Sequence, residues 1–338
     1  MAKKRLGMRT VQLEQPPVIT GAAAVAGPME ADGPLGLEFD QTYPDLMVGQ
    51  QSFERAERQM MIDACNLALK KANLTEKPPK VDYFLAGDLL NQIITSSFSG
   101  LQLEVPFFGL YGACSTFCES ISIGSMLIDG GFADRVLCAV SSHNAASERQ
   151  YRYPVEYGLQ RKPYAQWTVT GAGAVVLANS GTGPRVTHVT TGKVVDMGIK
   201  DPYDQGAAMA PAAVDTIVTH LKDTGRSVDY YDLIVTGDLA RFGREMAVRL
   251  AAQQNVILGE KYQDCGVMIF DNTKQDVHSG GSGCACSAIV TCGHLLRQMS
   301  QGKLKKLLVV ATGALLSPTT FQQGENIPTI AHAVALEA

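Results

Sequence analysis

The chain has 338 residues, a formal net charge of −4, 46% apolar residues and 18% charged ones. That length suits two domains of ordinary size with a substantial core. The near balance of charge excludes a protein drawn bodily onto nucleic acid or an anionic membrane.

No uninterrupted apolar run reaches the ~18 residues of a spanning helix. Val18 to Gly27 is interrupted by Thr20 and Gly21, and reads as a first strand and turn rather than a signal peptide. A soluble protein is expected, one that meets a membrane only through partners. Met60 to Leu74 then carries a helical pattern and leads to Asp82–Leu89, a short apolar run ending in Gly-Asp-Leu. Val105 to Tyr111 is apolar and β-prone, and Gly112-Ala113-Cys114-Ser115-Thr116 follows. Phe117, Ile121, Gly124 and Ile128 recur at helical spacing up to a stop at Gly130-Gly131. Val136–Val140 is the next strand and runs into Ser141, Ser142, His143 and Asn144. Ala145 to Trp167 is long for a connection, and so functional or partly structured. Gly171–Leu177 closes the half, and Ser180-Gly181-Thr182-Gly183-Pro184 is a turn-rich break that divides the chain into 1–182 and 183–338.

The second half repeats the first. Pro211 to Thr224 is helical in pattern, and Asp232–Leu239 again ends in Gly-Asp-Leu. Cys286-Ser287 matches Cys114-Ser115, and each is followed by a glycine 16 residues after the cysteine, Gly302 and Gly130. Leu308–Ala311 and Ala331–Leu336 supply the matching strands. The fold is therefore read as a duplication, with α/β halves whose sheets are covered on both faces. Only the first copy leads into a dense polar stretch, so one half is expected to carry the site.

Cys114 is placed where a strand turns into a helix. Unpaired N–H groups and the helix dipole there lower a thiol pKa and make a nucleophile, or bind a ligand carboxylate. The plainer alternative is a small buried cysteine in a tight turn. The eight cysteines form no disulfide framework, and Cys284-Ala285-Cys286 lacks the second pair that a zinc set needs. Reduced thiols, no metal and no cofactor are expected.

The strand–Ala-Cys-Ser–helix, the internal repeat and Gly171-Ala172-Gly173-Ala174-Val175-Val176-Leu177 resemble the thiolase and ketoacyl-synthase family. Longer stretches are similar to a branch of it found in spore-forming bacteria. They include Ala86-Gly87-Asp88-Leu89-Leu90-Asn91-Gln92, Ser141 to Gln150 and Gly280-Gly281-Ser282-Gly283-Cys284-Ala285-Cys286-Ser287. The resemblance implies a thiolase-like fold: two halves with mixed five-stranded sheets in a layered α-β-α-β-α arrangement. It implies a homodimer joined through the strand after the Cys114 helix, Val136–Val140. It also implies a role in loading dipicolinic acid into the developing spore, with calcium as a companion of the ligand. The partners would be membrane proteins of the same sporulation operon, holding the chain at the forespore inner membrane.

The enzyme pattern of that family is incomplete. Its catalytic histidine falls at about Gly237, which has no side chain, and the asparagine of the glycine turn is missing from Gly280–Gly283. His278 is a weak catalytic candidate, and an exposed loop histidine is the plainer reading; His294 and His332 read as core histidines. Cys114, Ser115, Ser141, Ser142, His143, Asn144, Arg149, Gly281 and Ser282 are the candidate ligand contacts. Arg152, Arg161 and Lys162, set among Tyr151, Tyr153, Tyr157, Tyr164 and Trp167, suit either a carboxylate ligand or a dimer interface. Asp88, Asn91 and Asp238 suit helix caps better than calcium. Three readings stand at this point: a dipicolinate-binding protein, a Cys114-dependent acyltransferase or 3-oxoacyl synthase, and a structural subunit of a membrane-associated complex.

Overall fold

A computed structural model describes residues 3–338. Ten strands carry the architecture, numbered here in chain order. They are β1 Val18–Ala26, β2 Tyr83–Gly87, β3 Phe107–Gly109, β4 Arg135–Ser142 and β5 Gly171–Ala178, then β6 Arg185–Thr190, β7 Leu233–Thr236, β8 Tyr262–Asp264, β9 Lys306–Ala314 and β10 Thr329–Glu337. The first half has the order β3-β2-β4-β5-β1 and the second β8-β7-β9-β10-β6. In each half the long closing strand runs antiparallel between two neighbours, and the three strands beyond it run parallel. The two mixed sheets touch edge to edge at one antiparallel pair, Arg185 with Val18. The duplication read from sequence is thus a duplication of topology.

Four of the helices frame the site. Helix α1, Phe53–Lys71, starts where the Ser52 side chain accepts from the Arg55 N–H at 3.3 Å. It buries Met60, Met61, Ala64, Cys65 and Ala68 against the outer face of the first sheet. Helix α3, Gln205–Thr224, does the same for the second sheet with Met209, Ala213 and Ile217. Both begin earlier than their apolar pattern predicts. Pro211 lies inside α3, because burial along one face outweighs the one hydrogen bond a proline removes. Between the sheets lie α2, Thr116–Asp129, and α4, Cys284–Ile289, whose side chains share one core with the inner faces of both sheets. Gly124 is required for this closeness: a Cβ there would lie 3.0 Å from Leu177 and 3.1 Å from Val136.

One expectation is corrected by the strand order. Strand β4 is interior, bonded on one side to β2 and on the other to β5, so Val136–Val140 has no free edge to offer a second copy. The free edge of the first sheet is β3, where Phe108 is 48% exposed, so the strand leading to Cys114 is not a buried one. The break near Ser180 falls between β5 and β6, yet Thr10–Gln12 pairs with His188–Thr190. The beginning of the chain therefore completes the sheet of the other half.

Candidate functional site

Cys114 sits in a single tight turn, Ala113–Ser115, between β3 and α2. Ala113 has φ 49°, a left-handed conformation that costs about 1–2 kcal/mol in an L-residue, and it sets Cys114 at the wall of a cavity. Leu89, Ser147, Tyr151, Arg152, Thr168, Ser282, Gly283 and Leu316 also line that cavity. Its volume is about 40 Å³. A void of roughly 150 Å³ holds a benzene ring, so a ring reaches the thiol only if the wall moves.

The turn does not activate the thiol in the way a helix start suggests. The Ser115 N–H bonds the Gly112 carbonyl at 3.1 Å, and the Ser115 hydroxyl bonds the same carbonyl at 2.6 Å. The hydrogen bond with Cys284, then burial, then the nearby Asp238 charge push the Cys114 thiol well above its ordinary value. Cys284 in turn donates to the Ala113 carbonyl at 3.1 Å. The thiol of Cys114 is therefore protonated at neutral pH. All eight cysteines are buried and unpaired.

The residue that reaches the site from the end of β7 is Asp238 rather than Gly237. A Cβ at Gly237 would lie 3.1 Å from Ala311 Cα and 3.2 Å from Ser287 Cβ, packed into the neighbouring strand and helix. Asp238 is fully buried, and burial raises its pKa. Its carboxylate accepts from Ser282 Oγ at 2.9 Å, from the Gly283 N–H at 3.1 Å and from the Thr312 hydroxyl. Both oxygens are thus engaged, and they tie β9 and the glycine turn to the floor of the Cys114 cavity. Gly283 has φ 103°, and a Cβ there would lie 2.8 Å from Ser142 Oγ, which explains the glycine at the end of that turn.

Of the residues expected to touch a ligand, Cys114 and Ser282 line the cavity. The others have structural roles. Ser115 is folded back on Gly112, and Ser141 Oγ donates to Glu57 Oε1 at 2.8 Å. Ser142 Oγ donates to the Val169 carbonyl at 2.7 Å and accepts from the Ala285 N–H at 3.1 Å. His143 is buried, stacked on Phe53 at 5.2 Å, with Nε2 2.8 Å from the Leu46 carbonyl oxygen. Burial lowers its pKa. Gly281 pairs with Trp167 in a two-stranded ladder. Arg149 does not line the Cys114 cavity: it pairs with Glu54 and lies 5.7 Å over the Phe53 ring. Arg152 takes its place at the cavity wall. It bonds Glu148 through Nε at 2.7 Å and through Nη2 at 2.5 Å, and the Pro202 carbonyl at 3.1 Å.

The connection after β4 starts as a helix, Asn144–Tyr151. Asn144 heads it, with its N–H on Thr170 Oγ1 at 2.9 Å and its amide on the Thr168 carbonyl. Tyr151 ends it and donates its hydroxyl to the Leu89 carbonyl. Tyr151 therefore stands between the small cavity and a wider recess of about 680 Å³ that Asp88, Tyr111, Gln150, Leu316 and Pro318 help to line. Asp88 accepts from the Leu90 N–H and from the N–H and hydroxyl of Ser96, which anchors the loop after β2. Asn91, in the same loop, donates its N–H to Gln150 Oε1 at 3.2 Å. His278 lies 3.7 Å from the exposed Asp276 and does not line the Cys114 cavity. His332 is buried, its Nδ1 accepts from the Gly192 N–H, and burial lowers its pKa to about 4. His294 is only partly buried and pairs with Glu38 at 2.8 Å. Among the described residues no group of three His, Cys, Asp or Glu is placed to hold a metal ion, and no helix is long and apolar enough to cross a membrane.

A family model for stage V sporulation protein AD matches residues 7–337. Stage V sporulation protein AD of Bacillus subtilis (strain 168) is 51% identical over 334 residues, 99% of this chain and 98% of that protein. Among solved structures, 3-oxoacyl-(acyl-carrier-protein) synthase III from Aquifex aeolicus superposes with a TM-score of 0.58 at 16% identity, covering 95% of this chain and all of that one. An OleA variant from Xanthomonas campestris gives 0.60 at 16% identity, covering 97% and 99%. At that identity the solved structures speak for the fold, which is thiolase-like.

Proposed function

This chain belongs to the stage V sporulation protein AD family, and from that premise we propose that it binds dipicolinic acid for uptake into the developing spore. The observation that carries a binding role over an acyl-transfer role is the state of the inherited centre. The surroundings of Cys114 push its thiol well above its ordinary value, and the carboxylate beside it, Asp238, has both oxygens engaged by Ser282, Gly283 and Thr312. Acyl transfer needs a thiolate or a base free to make one. Binding needs neither, and a fold keeps its pocket while its use changes.

Dipicolinate is a flat ring with two carboxylates. The segment from Tyr151 to Trp167, beside Cys114, offers aromatic faces and guanidinium groups, the combination such a ligand requires. Calcium enters this reading only as a companion of the ligand. Membrane proteins of the same sporulation operon are the partners we assign, and a second copy joined at the β3 edge is the oligomer. Calorimetric titration with dipicolinate, with and without calcium, tests the reading. Saturable heat supports it. The absence of heat from a folded protein in both conditions overturns it.

A further inference from the structure

Beside the Cys114 cavity lies a second pocket, of about 190 Å³, lined by Glu148, Tyr153, Leu159, Arg161, Trp167 and Tyr203 among others. The Arg152–Glu148 ion pair stands between the two, with Arg152 on one lining and Glu148 on the other. The volume matches one substituted six-membered ring, since roughly 150 Å³ holds benzene. Two buried donors here have no partner among the described residues: the Trp167 indole Nε1 and the Arg161 Nη1. Buried donors are rarely left so, because each costs about 1–3 kcal/mol, and more when charged.

The charge around them favours an anion. Glu148 is neutralised by Arg152. Arg161 bonds the Asp276 carbonyl at 2.7 Å, but that residue's carboxylate lies 3.3 Å away and is 79% exposed, a weak partner. The Arg161 guanidinium lies 4.6 Å over the Trp167 ring, so its plane and the indole form one preorganised wall. We propose that this pocket binds a planar, single-ring aromatic carboxylate. Its carboxylate accepts from Arg161 and Trp167, and its ring packs against Tyr153 and Tyr203. The inference rests on the dipicolinate reading for its probe and goes beyond it in placing the ring outside the Cys114 cavity.

Trp167 is the single tryptophan of the chain and lines this pocket, so its fluorescence responds to a ligand bound there, and Arg161→Gln assigns the response to this pocket. Dipicolinate is titrated into the full chain and into Arg161→Gln and Tyr203→Ala, with emission and heat followed on the same samples. Circular dichroism establishes that each variant is folded. The expected result is a saturable change in emission that tracks the heat, and an affinity about 10- to 100-fold weaker in Arg161→Gln. Saturable heat without a change in Trp167 emission overturns the pocket and leaves the dipicolinate reading standing. So does an emission change whose affinity is the same in folded Arg161→Gln. No saturable signal of either kind overturns both.

Discussion

Asp238 ties strand β9 to the glycine turn at the base of the site, and its removal has a size that the structure sets. In Asp238→Ala three donors lose their acceptor: the hydroxyls of Ser282 and Thr312 and the N–H of Gly283. Each unsatisfied buried donor costs about 1–3 kcal/mol. The two hydroxyls can rotate toward other acceptors, whereas the N–H cannot. Removing a carboxylate whose burial already raises its pKa returns part of the loss. The net expectation is about 2–4 kcal/mol of destabilisation, a melting shift of roughly 3–6 °C. Asp238→Asn keeps an oxygen for Gly283 and Ser282 and turns its amide toward Thr312, whose hydroxyl can accept, so its cost is about 1 kcal/mol. Thermal and urea melts of the two variants beside the parent protein measure this. If Asp238→Ala melts within about 0.5 kcal/mol of the parent, the carboxylate is no structural hub. It would then be available as a base, and the argument against acyl transfer loses its footing.

Other outcomes follow from the same geometry. Glu30 is fully buried, with Oε1 on the Thr170 N–H at 2.9 Å and Oε2 without a partner among the described residues, and burial raises its pKa to about 8. The folded state keeps this proton where the unfolded chain has lost it, so the group's contribution to stability falls as pH rises from about 4.5 through about 8. Glu30→Gln should therefore gain on the parent at pH 9, on the order of a few kcal/mol, and the gain should shrink at pH 5; equal melting differences at both would contradict the sign. Tyr151→Ala should merge the Cys114 cavity with the outer recess and raise the rate at which a small alkylating reagent labels Cys114, read by intact mass; an unchanged rate would show that Tyr151 is not the barrier. Phe108→Lys at the free β3 edge should turn a dimer into a monomer by sedimentation velocity, and a dimer that survives it would place the interface elsewhere.

The sequence carried the duplication because both copies keep glycines and apolar runs at one spacing, and local periodicity is what fixes strands and central helices. It placed Cys114 at a strand-to-helix turn for the same reason. It failed where side-chain direction decides. The residue that meets Cys114 at the end of β7 is Asp238, one position past Gly237, and a slip of one residue on a strand exchanges its two faces. Arg149 and Arg152 differ by three residues, but Arg152 lies beyond the helix end, with φ −131° and ψ −98°, and turns inward to Glu148. The repeat aligns Cys114 with Cys286, yet the thiol that touches Cys114 is Cys284. Residues that superpose between the copies are not the ones that face each other. The free sheet edge was invisible too, because strand order is a property of topology and not of any one segment.

The most direct test of a binding site in place of an acyl-transfer site is the intact mass of the protein after incubation with a medium-chain acyl-CoA, with Cys114→Ala alongside. The account predicts an unmodified mass for both at neutral pH. An acyl adduct that appears on the parent protein and is absent from Cys114→Ala would contradict it, because a protonated thiol with no free base would then be transferring acyl groups after all.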